Sequence, residues 1–182
     1  MKAYLTLPNI LTLSRFFLLP FFIVGFYINS KAGMLMSFCV FVICCITDYL
    51  DGYYARSMKQ VSRLGQMLDP LADKVLISIA IVSIFGFGLT SRYSVVPATI
   101  ILCREIAISG VRDASEESGS CVKTSLLSKW KTATKMISLS LIFLAQIIEC
   151  VHIRYIGELL FWLSATLAVI SGLKYCQKHI DI

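Results

Sequence analysis

Residues 34–54 read MLMSFCVFVICCITDYLDGYY, an apolar run that ends in two carboxylates, Asp48 and Asp51. Its apolar residues are continuous rather than alternating, and its length lies in the range of roughly 17 to 25 residues that a helix needs to cross a hydrocarbon core. That pattern argues against strands, and an open sheet edge cannot sit in lipid, where its backbone groups would go unbonded. Working outward, further runs of the same kind cover residues 10–28, 70–89, 94–111, 136–151 with a polar lead-in from Lys129, and 155–175. The sequence therefore predicts an all-α, polytopic membrane protein with six transmembrane helices, forming a single domain over residues 1–182.

Composition agrees. The chain is 57% hydrophobic and only 15% charged, and its mean hydropathy is +0.78. Soluble domains carry about half apolar and a quarter charged residues, and a soluble core cannot absorb so much apolar surface. The first run is long, carries Arg15 and lacks a small-residue cleavage pattern, so it reads as a retained span rather than a signal segment. Arg56, Lys59 and Arg63 lie between spans two and three, Arg112, Lys123, Lys129 and Lys131 between four and five, and Lys174 and Lys178 in the tail. The opposite connections hold only Lys31, Arg92 and Arg154, so the positive-inside rule places both termini and the basic loops in the cytoplasm. The net charge of +6 suits anionic headgroups or phosphorylated substrates, and no segment reads as a nucleic-acid domain. Cys39, Cys44, Cys45, Cys103, Cys150 and Cys176 lie in or beside the spans without Cys-x-x-Cys spacing and read as small apolar fillers. His152 and His179 are isolated, as structural or solvated histidines are.

The chemistry is concentrated where span two runs towards span three. Asp48, Asp51, Gly52, Ala55 and Arg56 are followed, after eight residues, by Gly65, Asp69 and Asp73. At about 100° per residue, Asp48 and Asp51 share a helix face with Gly52 and Ala55, while Gly65, Asp69 and Asp73 form an i, i+4, i+8 row. Two helices can thus point four carboxylates at one volume. An ionised Asp at mid-bilayer costs about 2.5 to 3.5 kcal/mol, so this set requires compensation. One solution is a water interface with Arg56, Lys59, Arg63 and Lys74 as partners. The other is divalent metal: carboxylate and water ligands suit Mg²⁺ or Mn²⁺, and two such ions neutralise four charges. Small residues on the same faces admit a ligand or a neighbouring helix. Two metals bridged by carboxylates suit displacement at phosphorus.

The segment fits D-x2-D-G-x2-A-R-x8-G-x3-D-x3-D at all eight fixed positions, and in this it resembles the CDP-alcohol phosphatidyltransferase family. Six membrane helices and a similar length extend the resemblance over essentially the whole chain. It implies that Asp48, Asp51, Asp69 and Asp73 bind two divalent ions, Mg²⁺ or Mn²⁺, and that Asp73 is the base that takes the acceptor hydroxyl's proton. It also implies that Gly52, Arg56 and Ser62 contact the CDP moiety of CDP-diacylglycerol, with Asn9 and Thr12 of the first helix closing that pocket. The roles are physically sensible, since Arg56 offers a planar cationic fork for phosphate and Gly52 admits the nucleotide.

For the acceptor, Cys103-Arg104-Glu105-Ile106, Arg112 and Ser128-Lys129-Trp130-Lys131-Thr132 resemble the bacterial family members that use sn-glycerol 3-phosphate and release CMP. Arg104 lies in a largely apolar span and needs a partner there, either Glu105 or one of the Asp residues in a structural pair, or the acceptor's phosphate. On the second reading Arg104, Arg112 and Lys135 gather around that phosphate, joined by Lys129 and Lys131, which otherwise read as ordinary inside charges. Ser128 and Lys135 depart from the family pattern, where Gly and Gln are usual. The alternatives are a cardiolipin synthase that takes phosphatidylglycerol as acceptor, and a small divalent-cation transporter with intramembrane Asp residues. The Gly, Ala and Arg set between the carboxylates favours a bound nucleotide over an ion path. The expected setting is a bacterial inner membrane, with the active site on the cytoplasmic side among membrane lipids, and the resemblance implies a homodimer.

Overall fold

The computed structural model describes the backbone of residues 7–28, 30–58, 63–117 and 126–180, and the side chains of residues 12–28, 30–48, 50, 71–110 and 130–173. Its elements are α1 (Leu7–Tyr27), α2 (Lys31–Met58), α3 (Arg63–Gly86), α4 (Val95–Glu117), α5 (Leu126–Ile148) and α6 (Val151–Ile180), with a 3-10 turn at Arg92–Ser94 leading into α4. Among the described residues the regular structure is helical throughout. Four stretches, Lys31–Asp48, Arg92–Gly110, Trp130–Ile148 and Val151–Leu173, are long and apolar enough to cross a membrane, and Thr12–Tyr27 is a shorter apolar helix. Large apolar side chains face outward, among them Phe17 at 76%, Leu159 at 69% and Val82 at 66% exposure. Such surfaces suit contact with lipid, and the chain is an all-α membrane protein.

The helices run past the apolar windows. α3 starts at Arg63, ahead of Gly65 and of the apolar run that opens at residue 70, α5 at Leu126, ahead of the polar lead-in at Lys129, and α6 at Val151, ahead of residue 155. Backbone hydrogen bonding continues into the polar flanks, where water tolerates any side chain. The break between α5 and α6 is correspondingly short. Glu149 takes a left-handed conformation (φ 56°), and the Cys150 N–H donates to the Ala145 carbonyl at 3.1 Å, which closes the last turn of α5.

One compact unit comprises Met1–Phe87 with Gln146–Glu149, and therefore α1, α2 and α3. Thr12, Arg15, Leu19, Phe22 and Phe26 form the buried stripe of α1, at the i, i+3, i+7 spacing of a packed face. α1 packs on both α2 and α3. Ser37 donates to the Phe22 carbonyl at 2.8 Å, and Arg15 reaches Asp48, so α1 and α2 run antiparallel as a hairpin. The approach is closest at its turn. A Cβ on Gly25 would lie 2.6 Å from the Gly33 carbonyl oxygen, and one on Gly33 would lie 2.5 Å from that of Gly25. Both glycines are needed for the backbones to come so near. Phe22 packs edge-on against Phe26 at 5.1 Å, and Phe26 stacks on Phe87 at 5.1 Å.

The other unit comprises Gly88–Ala145 with Cys150–Ile182, and therefore α4, α5 and α6. Ser138 on α5 donates to the Gly157 carbonyl on α6 at 2.8 Å. A Cβ at Gly157 would sit 2.9 Å from the Ile142 Cγ1, so the small residue again sets the helix spacing. Glu158, a carboxylate in an apolar helix, is buried and accepts hydrogen bonds from the Thr90 hydroxyl at 3.0 Å. The Ser91 N–H at 2.9 Å and the Ser91 hydroxyl at 3.0 Å also donate to it. The turn before α4 is thereby tied to α6.

Candidate functional site

The motif residues fall on two adjoining helices, as the sequence predicts. Asp48, Asp51, Gly52 and Arg56 lie on the last three turns of α2, Asp69 and Asp73 on the first three of α3, and these helices touch. The side chains of Asp51, Gly52, Arg56 and Asp69, and of Asn9 on α1, lie outside the described residues, as does Ser62 altogether. Asp48, Asp73 and Thr12 are described. Thr12 is buried in the packed stripe of α1. Asp73 lies on the α3 face that also carries the buried Leu76 and Ile77, and its Oδ1 is closed off from solvent.

Arg15 is the residue that sequence reasoning left without a role. It is 1% exposed, on the packed face of α1, and its Nη1 donates to the Asp48 Oδ1 at 2.6 Å. The Asp48 side chain keeps 25% of its surface exposed. A buried arginine in an apolar helix costs about 2.5 to 3.5 kcal/mol unless it is paired, and Asp48 supplies that pairing. The signal was available: Arg15 follows Thr12 by three residues and therefore shares its face, in the middle of an otherwise apolar run.

Among the described residues no three His, Cys, Asp or Glu side chains form a metal-binding group. The donor chemistry nevertheless fits a hard divalent ion. Asp48 and Asp73 are both partly buried carboxylates on touching helices, and oxygen donors of this kind are what Mg²⁺ and Mn²⁺ take. Arg15 offsets one negative charge of the motif's four.

The acceptor candidates belong to the α4–α6 unit. Lys131 and Lys135, one helical turn apart on α5, are buried on its packed face with Ser138, Leu139 and Ile142. Lys135 donates to the Glu105 carboxylate of α4 in a buried ion pair. Arg104, in contrast, turns to α6, where its Nη2 donates to the Ser171 hydroxyl at 3.0 Å beside Gly172. The sequence left Arg104 a choice of Glu105, one of the Asp residues or the acceptor's phosphate as partner; the structure pairs Glu105 with Lys135. Arg112 and Lys129 are helical, and their side chains lie outside the described residues.

Comparison with known proteins adds to this geometry. Residues 5–170 match the sequence model of the CDP-alcohol phosphatidyltransferase family. A Rickettsia bellii protein named CDP-diacylglycerol–glycerol-3-phosphate 3-phosphatidyltransferase is 36% identical over 183 residues, covering 98% of this chain and 99% of that one. A Salmonella typhimurium protein of the same name is 38% identical over 171 residues, with 93% and 92% covered. One from Cereibacter sphaeroides is 34% identical over 180 residues, with 96% and 80% covered.

Proposed function

The chain belongs to the CDP-alcohol phosphatidyltransferase family, and from that we propose that it transfers the phosphatidyl group of CDP-diacylglycerol to sn-glycerol 3-phosphate, giving phosphatidylglycerophosphate and CMP. The observation that carries the acceptor assignment is near full-length similarity to proteins of that activity by name, at 36% and 38% identity. A phosphorylated acceptor needs positive charge where a neutral one does not, and the candidate cations Lys131 and Lys135 share a face of α5, with Lys135 already paired to Glu105.

Asp48, Asp51, Asp69 and Asp73 would hold two divalent ions, Mg²⁺ or Mn²⁺. When bound, these supply charge neutralisation at the diphosphate and make the acceptor hydroxyl and the leaving phosphate better at their tasks. Asp73 takes the proton of the primary hydroxyl of glycerol 3-phosphate. The hydroxyl oxygen then attacks the phosphorus that bears the diacylglycerol. The bond from that phosphorus to the bridging oxygen breaks, and CMP leaves with the electron pair. Asn9, Thr12, Gly52, Arg56 and Ser62 hold the CDP moiety. Arg104, Arg112, Lys129, Lys131 and Lys135 hold the acceptor's phosphate. All six helices span a bacterial inner membrane, with the carboxylates at its cytoplasmic face.

The test is incorporation of radiolabelled glycerol 3-phosphate into lipid by membranes expressing the chain. Label in phosphatidylglycerophosphate that depends on both CDP-diacylglycerol and a divalent ion is expected. Incorporation of labelled phosphatidylglycerol instead, with none from glycerol 3-phosphate, would replace this reading by cardiolipin synthesis. Ion flux with no lipid product would replace it by transport.

A further inference from the structure

Arg92 and Arg154 are two cations that neither the metal motif nor the proposed acceptor site uses. Ser91 meets Glu158 and Arg104 meets Ser171, so α4 and α6 run parallel and their starts lie at one end of the unit. The 3-10 turn that carries Arg92 touches α6, and Arg154 stands one turn before Glu158 on that helix. Both arginines therefore belong to the same end.

The carboxylates close to them in the chain are already taken. Glu158 accepts hydrogen bonds from Thr90 and Ser91, and Glu149 pairs with Lys31. Neither arginine is ion-paired among the described residues. Arg92 is exposed, while Arg154 is half-buried and its Nε has no hydrogen-bond partner. Arg154 is held instead over the Tyr155 ring, with 5.7 Å between the guanidinium carbon and the ring centroid. That contact steadies the guanidinium and spends none of its N–H donors. Tyr155 and Tyr93 are themselves exposed, and tyrosine rings so placed suit the headgroup level of a bilayer. Val95, Val151 and Ile156 add exposed apolar surface beside them. A free phosphate would use the cations alone, whereas a lipid uses cations, rings and apolar surface together. We propose that Arg92, Tyr93, Arg154 and Tyr155 form a docking site for the headgroup phosphate of an anionic phospholipid, whose acyl chains lie along the exposed starts of α4 and α6.

The test reads which lipid gathers at this end of the full chain. Trp130 and Trp162, the two native tryptophans, are replaced by Phe and a single reporter is introduced by Tyr155→Trp, which keeps an aromatic face for Arg154. Tyr93→Trp serves in its place if that variant does not fold. The protein is reconstituted in phosphatidylcholine vesicles, and quenching of the reporter by acyl-brominated phosphatidylglycerol is compared with quenching by acyl-brominated phosphatidylcholine. Phosphatidylglycerol is expected to be preferred, by about fivefold for each arginine. Arg92→Gln with Arg154→Gln should make the two lipids equal. Arg92→Gln alone, at an exposed position, should lower the preference about fivefold, and it decides the matter if the double variant does not fold. Excess inorganic phosphate at constant ionic strength should leave the preference in place. Equal quenching by both lipids in the parent chain, or a preference that survives loss of the arginines, overturns the proposal. Loss of the preference to inorganic phosphate would show a site for free phosphate and overturn the lipid assignment.

Discussion

Lys135 on α5 and Glu105 on α4 form an ion pair inside the second helical unit, with Lys135 only 1% exposed. Removing one partner strands the other charge. Glu105→Ala is expected to cost about 3 to 5 kcal/mol, whereas the double variant Glu105→Ala with Lys135→Met should recover much of that, because apolar replacement of a buried pair is often neutral. The melting temperatures of the two variants in one detergent check this. Activity distinguishes the pair's structural role from the proposed acceptor role of Lys135. The refolded double variant should still show a KM for glycerol 3-phosphate raised by roughly 10-fold to 150-fold, the loss of about 1.5 to 3 kcal/mol from one charge-assisted contact. A double variant that regained both stability and KM would leave Lys135 a structural cation.

The carboxylates lead to a different kind of result. Asp48→Asn, Asp51→Asn, Asp69→Asn and Asp73→Asn keep size and remove charge, so each should abolish measurable turnover while the protein remains membrane-inserted. For Asp73→Asn, loss of the base alone predicts a fall of about 10²-fold to 10⁴-fold in kcat. Chelation by EDTA should silence the wild-type protein reversibly, with activity restored by Mg²⁺ or Mn²⁺. Near-normal turnover in any one of the four at saturating Mg²⁺ would remove that residue from the metal shell.

What the sequence made legible follows from range. Apolar runs are local, so helix identity and number were readable, and the D-x2-D and D-x3-D spacings are local too, which is why α2 and α3 carry the motif as expected. Polar helix ends were legible only in part: the carboxylate spacing already carried the third helix back to Gly65 and the polar lead-in carried the fifth back to Lys129, while their first residues, Arg63 and Leu126, lie up to a turn further out. Partners were the harder part. Arg15 finds Asp48 across 33 positions, Lys135 finds Glu105 across 30 and Glu158 finds Ser91 across 67. No periodicity within one helix encodes such pairings. A buried charge in an apolar run announces that it needs a partner, but only the packing of helices says which.

Glu158 offers a control on that statement. Its carboxylate takes three donors from Thr90 and Ser91, and Glu158→Leu would leave them facing an apolar side chain. The expected loss is about 1 to 3 kcal/mol, with Glu158→Gln less affected because its amide oxygen still accepts. Activity per folded molecule should be unchanged in both, since Glu158 has no part in the proposed chemistry. Identical melting temperatures for wild type and Glu158→Leu would show that the turn before α4 holds without the carboxylate.

The last expectation concerns the side of the membrane on which the reaction runs. Lys31 opens α2 and is exposed, paired with the exposed Glu149 at 2.8 Å; Asp48 lies on the same helix, 17 residues further on. At 1.5 Å per residue the two are about 26 Å apart along the axis, close to the roughly 30 Å of a hydrocarbon core. The proposed span thus places them at opposite faces. On the orientation proposed from the positive-inside rule, the Asp48 end faces the cytoplasm, from which a soluble phosphorylated acceptor would enter while the inner leaflet supplies the lipid laterally. Single cysteines at Ser62 and Lys31, in a background without the native seven, can be labelled in intact cells with an impermeant thiol reagent. Replacing Lys31 removes the hydrogen bond and charge that hold the Glu149 carboxyl below its ordinary range. Labelling at position 31 and not at 62 is expected. The reverse pattern would turn the protein over and leave its carboxylates on the wrong side of the membrane for a cytoplasmic acceptor.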